Sequence, residues 1–137
     1  MSQTAEAGFL LNSRGVHRDL DAFVVAARFS SDGRHTAFGL GDGSVRIARA
    51  GDPNMGASFS VHDGAVLDLA ADPAGDGFIS GGDDGKLRRV TSDGNVSDVA
   101  SFGMKWVEHV ATYALDPSRG DKGKGLIAAS AGKIVRL

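Results

Sequence analysis

The chain has 137 residues, which is the length of one domain or of part of one. Fifteen Lys and Arg residues against 17 Asp and Glu residues give a net charge of −2, without the basic excess that is typical of a nucleic-acid-binding protein. The absence of cysteine excludes disulfides, thiolate metal centres and cysteine nucleophiles, and the 20 glycines indicate many short elements separated by turns.

The N-terminal segment has three consecutive apolar residues, at positions 9–11. Three residues are too few for the core of a signal peptide, and no run in the chain approaches the 18 or so apolar residues of a membrane helix. The sequence therefore predicts a soluble cytoplasmic protein without a membrane partner. Residues 9–19 match the pattern of the outer strands found later in the chain.

A repeated segment follows. Residues 24–33 align with residues 66–75 at an offset of 42, and the same offset places Gly41–Arg46 on Asp83–Arg88 without a gap. A third copy begins at Val110 and needs a longer loop before its second strand. Repeats of this length are typical of solenoids and propellers.

Each copy contains short apolar stretches separated by turns. Asp42-Gly43 and Asp84-Gly85 lie between two such stretches, a strong hairpin signal, and both glycines are expected to adopt a positive φ. No window keeps a helical period. The sequence predicts an all-β chain of twelve short strands in four-stranded antiparallel units over residues 22–61, 65–102 and 107–137, with 9–19 as an outer strand of another unit. The unit over 107–137 contributes three strands, because Leu137 is the last residue of a third strand. The innermost strands are predicted over Val24–Phe29, Val66–Ala71 and Val110–Leu115.

These residues resemble the WD-repeat β-propellers. The second copy keeps most of the family pattern, in His62, Val66, Asp72-Pro73, Ser80-Gly81 and Asp84-Gly85. The first copy keeps Phe29–Gly33 and Asp42-Gly43. The chain departs from the pattern at the family's closing Trp, which is replaced by Ala48, Val90 and Leu137, and at the family's His, which is replaced by Leu20 and Trp106 in the first and third copies.

The resemblance implies a structural role for His62, Ser80 and Asp84. These residue types also form the triad of a hydrolase, but Ser80 is not in the Gly-x-Ser-x-Gly elbow that presents a nucleophile. In the family the equivalent side chains form a hydrogen-bond network that stiffens each blade. Asp42, Gly43 and Gly85 are assigned to the same structural set, and no catalytic, cofactor-binding or metal-binding residue is predicted.

Trp106 is the candidate for partner binding, since it is the only tryptophan and begins a blade. It either packs beneath the adjacent loop as part of the core or lies exposed where it can contact a partner. Glu108 and His109 would share that rim. The adjacent charges Asp83-Asp84 and Arg88-Arg89 are expected on exposed strand ends, where they either are solvated surface or orient a partner.

Three copies are too few for a closed ring, because propellers have typically 4–8 blades. We expect either a longer chain or copies that assemble head to tail, with residues 9–19 of one chain beside residues 133–137 of the next. The resemblance implies a non-enzymatic scaffold that binds protein or peptide partners through the propeller rim. The alternative is an enzyme or ligand-binding propeller with its site in the central channel, but Asp68 is the one clear acid on the innermost strands, and acid–base catalysis needs two positioned groups.

Overall fold

The computed structural model describes residues 18–115 and 125–137. All regular elements in these ranges are β-strands, and no helix in them is long and apolar enough to cross a membrane. The eleven strands of the described ranges are β1 (Val24–Phe29), β2 (His35–Leu40), β3 (Ser44–Arg49), β4 (Ala57–Ser60), β5 (Val66–Ala71), β6 (Phe78–Gly82), β7 (Lys86–Val90), β8 (Val96–Ser101), β9 (Val107–Ala114), β10 (Gly125–Ala131) and β11 (Ile134–Arg136). The predicted all-β class is confirmed.

The strands form three antiparallel sheets in which each strand pairs with the next along the chain. The first sheet has the order β1-β2-β3-β4, the second β5-β6-β7-β8 and the third β9-β10-β11. Within the described ranges the third sheet thus has three strands. Residues 9–17 of the expected outer strand 9–19 lie outside the described residues.

Each sheet has a β-bulge at the same place, one residue after the start of its first strand. Val24 and Ala26 pair with consecutive residues of β2, and Val66 and Asp68 pair with consecutive residues of β6. The third sheet repeats the shift at the start of β9. Because a bulge places two residues opposite one, it redirects the strand that carries it. Val107 pairs with Ala131 across this bulge, and β9 therefore begins at Val107 rather than at the predicted Val110.

The sheets pack face to face, so that one apolar core lies between each neighbouring pair. The core between the first and second sheets consists of Ala37, Val45, Ile47, Val61, Val66, Leu69, Phe78 and Val90. The core between the second and third sheets consists of Ala70, Ile79, Leu87, Val107, Val110, Ala129 and Ala131. Each large side chain fully buried here contributes about 1.5–3 kcal/mol to stability, so the packing of neighbouring sheets holds the fold together.

Two glycine turns close the β2–β3 and β6–β7 hairpins. Gly43 has a φ of +89° and Gly85 a φ of +78°, the positive values that the hairpin assignment predicts. A side chain at Gly43 would collide with the carbonyl oxygens of His62 and Gly64, and one at Gly85 would collide with that of Gly103. Both positions therefore need glycine for conformation and for space.

Candidate functional site

One face of the molecule is built from hairpin turns that alternate with connections between sheets. We call it the turn face and define it by residues 41–43, 61–65, 83–85, 102–106 and 132–133. Gly43 O accepts hydrogen bonds from the backbone N–H groups of Val61 and His62, and Gly85 O accepts one from Phe102 at 2.8 Å. Each connection is thus fixed to the hairpin before it.

His62, Ser80 and Asp84 form a hydrogen-bonded chain beneath the turn face. Nδ1 of His62 lies 2.9 Å from Oδ1 of Asp84, and Nε2 lies 2.8 Å from Oγ of Ser80. Asp84 also accepts hydrogen bonds from the backbone N–H groups of Asp63 and Lys86, both at 3.1 Å. These three side chains therefore join the connection before the second sheet to strand β6 and to the β6–β7 hairpin.

Burial and hydrogen bonding determine the charges of His62 and Asp84. Burial lowers the pKa of His62, although the nearby carboxylate of Asp84 acts in the opposite direction. Burial would raise the pKa of Asp84, but the hydrogen bonds from Lys86 N, Asp63 N and His62 outweigh it and hold that pKa below its usual value. The stable arrangement is an ionised Asp84 that accepts a hydrogen bond from Nδ1–H of a neutral His62, whose Nε2 accepts a hydrogen bond from the hydroxyl of Ser80.

The hydrogen-bonded chain of His62, Ser80 and Asp84 has the residues and the order of a catalytic triad, but a substrate has no access to it. Ser80 has no exposed surface and the His62 side chain is fully buried. Gly82 lies directly against the imidazole, which leaves no space for another group. A nucleophile must reach the reacting carbonyl, so these three residues act as a structural link. Among the residues that the structure describes, no group of three or more His, Asp or Glu could hold a metal ion.

Comparison with known proteins agrees with this geometry. Residues 54–88, which contain the His62–Ser80–Asp84 chain, match the WD40 family model, described as "WD domain, G-beta repeat". The fold is similar to the crystal structure of Saccharomyces cerevisiae Sqt1, a WD-repeat protein, with a TM-score of 0.66 and 18% sequence identity. Residues 54–88 of this protein are thus similar to a WD repeat, and its fold is similar to that of a WD-repeat protein. No curated protein sequence matches it.

The match to Sqt1 covers 84% of this chain and 30% of the Sqt1 chain, and the three sheets form part of a β-propeller. β1, β5 and β9 lie next to one another in that order, as the first strands of consecutive sheets. The connections between the sheets reach the turn face, and the second of them carries Trp106.

Trp106 is exposed, with 55% of its surface accessible, so the alternative that places it in the core is wrong. Met104, in the same connection, is 96% exposed. Glu108 and His109 follow on strand β9 and are also exposed. The structure therefore brings an aromatic and a thioether side chain together on the turn face. Met104 was not predicted, because its exposure depends on how the connection folds.

The paired charges of the second sheet differ from the prediction, since they are not on exposed strand ends. The Arg88 side chain is only 22% exposed; its guanidinium donates to the carbonyl of Val61 at 2.6 Å and to Asp98 at 2.7 Å. The Asp84 side chain is only 9% exposed. Asp83 is half-buried, with its backbone N–H bonded to Ala65 O. Arg88 thus joins β7 to β8 of its own sheet and to the connection after β4, and its guanidinium is engaged in these contacts.

Asp42 does not join the buried chain, although it aligns with Asp84. Its Oδ1 accepts hydrogen bonds from the backbone N–H and the hydroxyl of Ser44, at 2.9 and 2.6 Å. Leu20 replaces the family's histidine in the first copy, so no imidazole partner is predicted for this carboxylate. Asp42 therefore stabilises its own hairpin.

Asp68 makes a connection that the sequence did not predict. It accepts hydrogen bonds from the backbone N–H groups of Leu69 and of Val110 and lies 3.3 Å from the guanidinium of Arg28. One carboxylate thus joins the first strands of all three sheets. The only sequence signal was its position as the one clear acid on the predicted innermost strands.

Proposed function

We propose that this chain is a non-enzymatic interaction scaffold that binds protein or peptide partners through its turn face, with Trp106 as the main apolar contact. WD-repeat proteins generally act as scaffolds for protein partners. The observation that most directly supports a site on this face is the exposure of Trp106 beside Met104. Tryptophan is enriched among the residues that contribute most to protein–protein binding, and methionine adapts to partners of different shape.

The backbone around Trp106 is held in place, which favours binding. Phe102 N donates to Gly85 O on one side, and the Lys105 side chain lies against the turn at Gly132 on the other. A preorganised contact loses less conformational entropy when a partner binds. The partner that suits these side chains is a segment with an exposed apolar residue.

The second functional class, an enzyme or a ligand-binding site in the channel, lacks a comparable feature in the described residues. Asp68 is the acid closest to such a site, and both of its oxygens are already used by Arg28, Leu69 and Val110. Ser80 and His62 are inaccessible. These contacts support the scaffold over the alternative.

The test uses peptides selected from a random display library against the wild-type chain. Because Trp106 is the only tryptophan, its fluorescence reports directly on contact at this position. Peptides that bind the turn face should shift the emission to shorter wavelength, and Trp106→Ala, followed by calorimetry, should weaken binding about 30-fold, equivalent to about 2 kcal/mol.

Val96→Ala is the matched control, since Val96 is a partly exposed apolar residue on β8, outside the turn face. It should leave the affinity unchanged. If Trp106→Ala binds the selected peptides as tightly as the wild type does, the proposed site is wrong.

A further inference from the structure

The two interfaces between neighbouring sheets are built in the same way. At each interface a valine, the residue just before the bulge of one sheet, lies against a glycine of the preceding sheet. In the preceding sheet this glycine pairs with the residue just after that sheet's own bulge. Cγ1 of Val66 would lie 2.6 Å from a Cβ atom at Gly39, and Cγ1 of Val107 would lie 2.7 Å from one at Gly81. Both valines are fully buried. We call the face that receives the valine the forward face of a sheet, and the face that carries it the back face.

The third sheet has a forward face that no other sheet of the described residues covers. Val110 and Ala129 pair with each other and pack on the second sheet, so their neighbours in sequence point the other way. This forward face consists of His109, Ala111, Tyr113, Leu126, Ala128, Ser130, Val135 and Leu137. Tyr113 is 67% exposed and Val135 82% exposed.

Ser130 occupies the receiving position on this face. It pairs with His109, the residue just after the bulge, as Gly39 pairs with Ala26 and Gly81 with Asp68. A depression of about 350 Å³ is lined by Ser130, His109 and Val135 among others, and a second of about 150 Å³ lies beside Tyr113 and Leu137. Unlike the two glycines, Ser130 has a Cβ atom, and the first depression adjoins it.

The first sheet has the complementary back face. Val24 precedes its bulge, as Val66 and Val107 precede theirs, but Val24 is 51% exposed. Phe29, farther along the same strand, is 64% exposed. The chain thus carries both halves of an interface that it already forms twice, one half on its first sheet and the other on its third.

We propose that a second copy of this chain docks the back face of its first sheet on the forward face of the third sheet, with Val24 of the second copy against Ser130. A second copy is favoured because it supplies a valine at the position that the two existing interfaces use. Two copies joined at both ends contain six sheets, within the usual range of about 4–8 for a closed propeller. Contiguous exposed apolar faces of this kind mark interfaces.

The first experiment measures the mass of the full chain in solution by sedimentation between about 5 and 200 µM. We expect a species of twice the chain mass of 14.1 kDa. Val24→Arg and Ser130→Arg should each shift this species toward the monomer, because an arginine on either half obstructs both contacts of the closed pair. Both positions are at least partly exposed, so circular dichroism should show an unchanged fold.

Val96→Arg is the control, an equally drastic change at a partly exposed strand valine on the outer strand of the second sheet. It should leave the pair intact. Mixing the Val24→Arg and Ser130→Arg chains should produce a 1:1 complex, since Ser130 of the first variant and Val24 of the second can still form one unaltered interface.

Three results would overturn the proposal. The first is a wild-type chain that stays monomeric at 200 µM, which would assign the two faces to another partner. The second is a dimer that neither arginine variant weakens. The third is a mixture of the two variants that stays monomeric. Trp106 is not among the residues of this interface, so each result would leave the proposed binding at Trp106 to its own test.

Discussion

The carboxylate of Asp68 accepts the backbone N–H of Val110 at 2.8 Å, across the interface between the second and third sheets. The same side chain lies 3.3 Å from Arg28 of the first sheet. A polar group at an inner strand therefore connects blades that are otherwise held together mainly by apolar packing. Because the Asp68 side chain is only 17% exposed, water competes little for these bonds.

Asp68→Ala should lower the free energy of unfolding by about 1–3 kcal/mol, since it leaves the N–H of Val110 without its acceptor. Urea denaturation measures the change. Asp98→Ala is the control: it breaks the ion pair with Arg88, but Asp98 is 62% exposed, and exposed pairs contribute about 0–1 kcal/mol. Equal effects of the two substitutions would contradict the connecting role of Asp68.

Ser80→Ala should lower stability by about 1–2 kcal/mol, because it removes the hydroxyl that lies 2.8 Å from Nε2 of the buried His62. Thermal and urea unfolding would measure this loss. Ser97→Ala, on an exposed position of β8, should have almost no effect. An unchanged stability for Ser80→Ala would show that the contact contributes nothing.

Acid should weaken the fold partly through His62. Its pKa is lowered by burial, so the unfolded chain takes up a proton near pH 6.5 while the folded chain keeps His62 neutral. Stability from this group is complete above pH 6.5 and is lost as the pH falls toward the lowered pKa, by at most about 1.4 kcal/mol per pH unit. The lowered pKa of Asp84 adds a further loss only below about pH 4.

Urea midpoints at pH 7.5 and 5.5 test this dependence. His62→Gln should reduce the difference between the two midpoints, whereas His109→Gln, at an exposed position, should keep it. If both variants show the wild-type difference, protonation of His62 is not what weakens the fold in this range.

The sequence predicts local features well, and the reason is visible at particular residues. Gly43 and Gly85 follow an aspartate between two apolar stretches, and such turn chemistry involves only neighbouring residues. The exposure of Trp106 and the bonds of Asp68 depend instead on strands about 40 residues apart. Sequence reasoning therefore left both alternatives open for Trp106 and missed the role of Asp68.

The positions of the predicted strands show the same limit. β1 and β5 have the predicted bounds, and a turn follows each. β9 begins three residues earlier than predicted, at Val107, because that residue pairs with Ala131 across the bulge. Such a pair cannot be read from the alternation of apolar residues within one strand.

The glycine turns provide a test that separates conformational strain from collision. Gly43 and Gly51 both have a positive φ, +89° and +86°, but only Gly43 has backbone oxygens within reach of an added Cβ atom. Gly51→Ala should cost about 1 kcal/mol, the penalty for a left-handed non-glycine residue. Gly43→Ala should cost more, because the connection at His62 and Gly64 must also move. Urea denaturation compares the two, and a smaller loss at Gly43 than at Gly51 would mean that the turn face is not held against this hairpin.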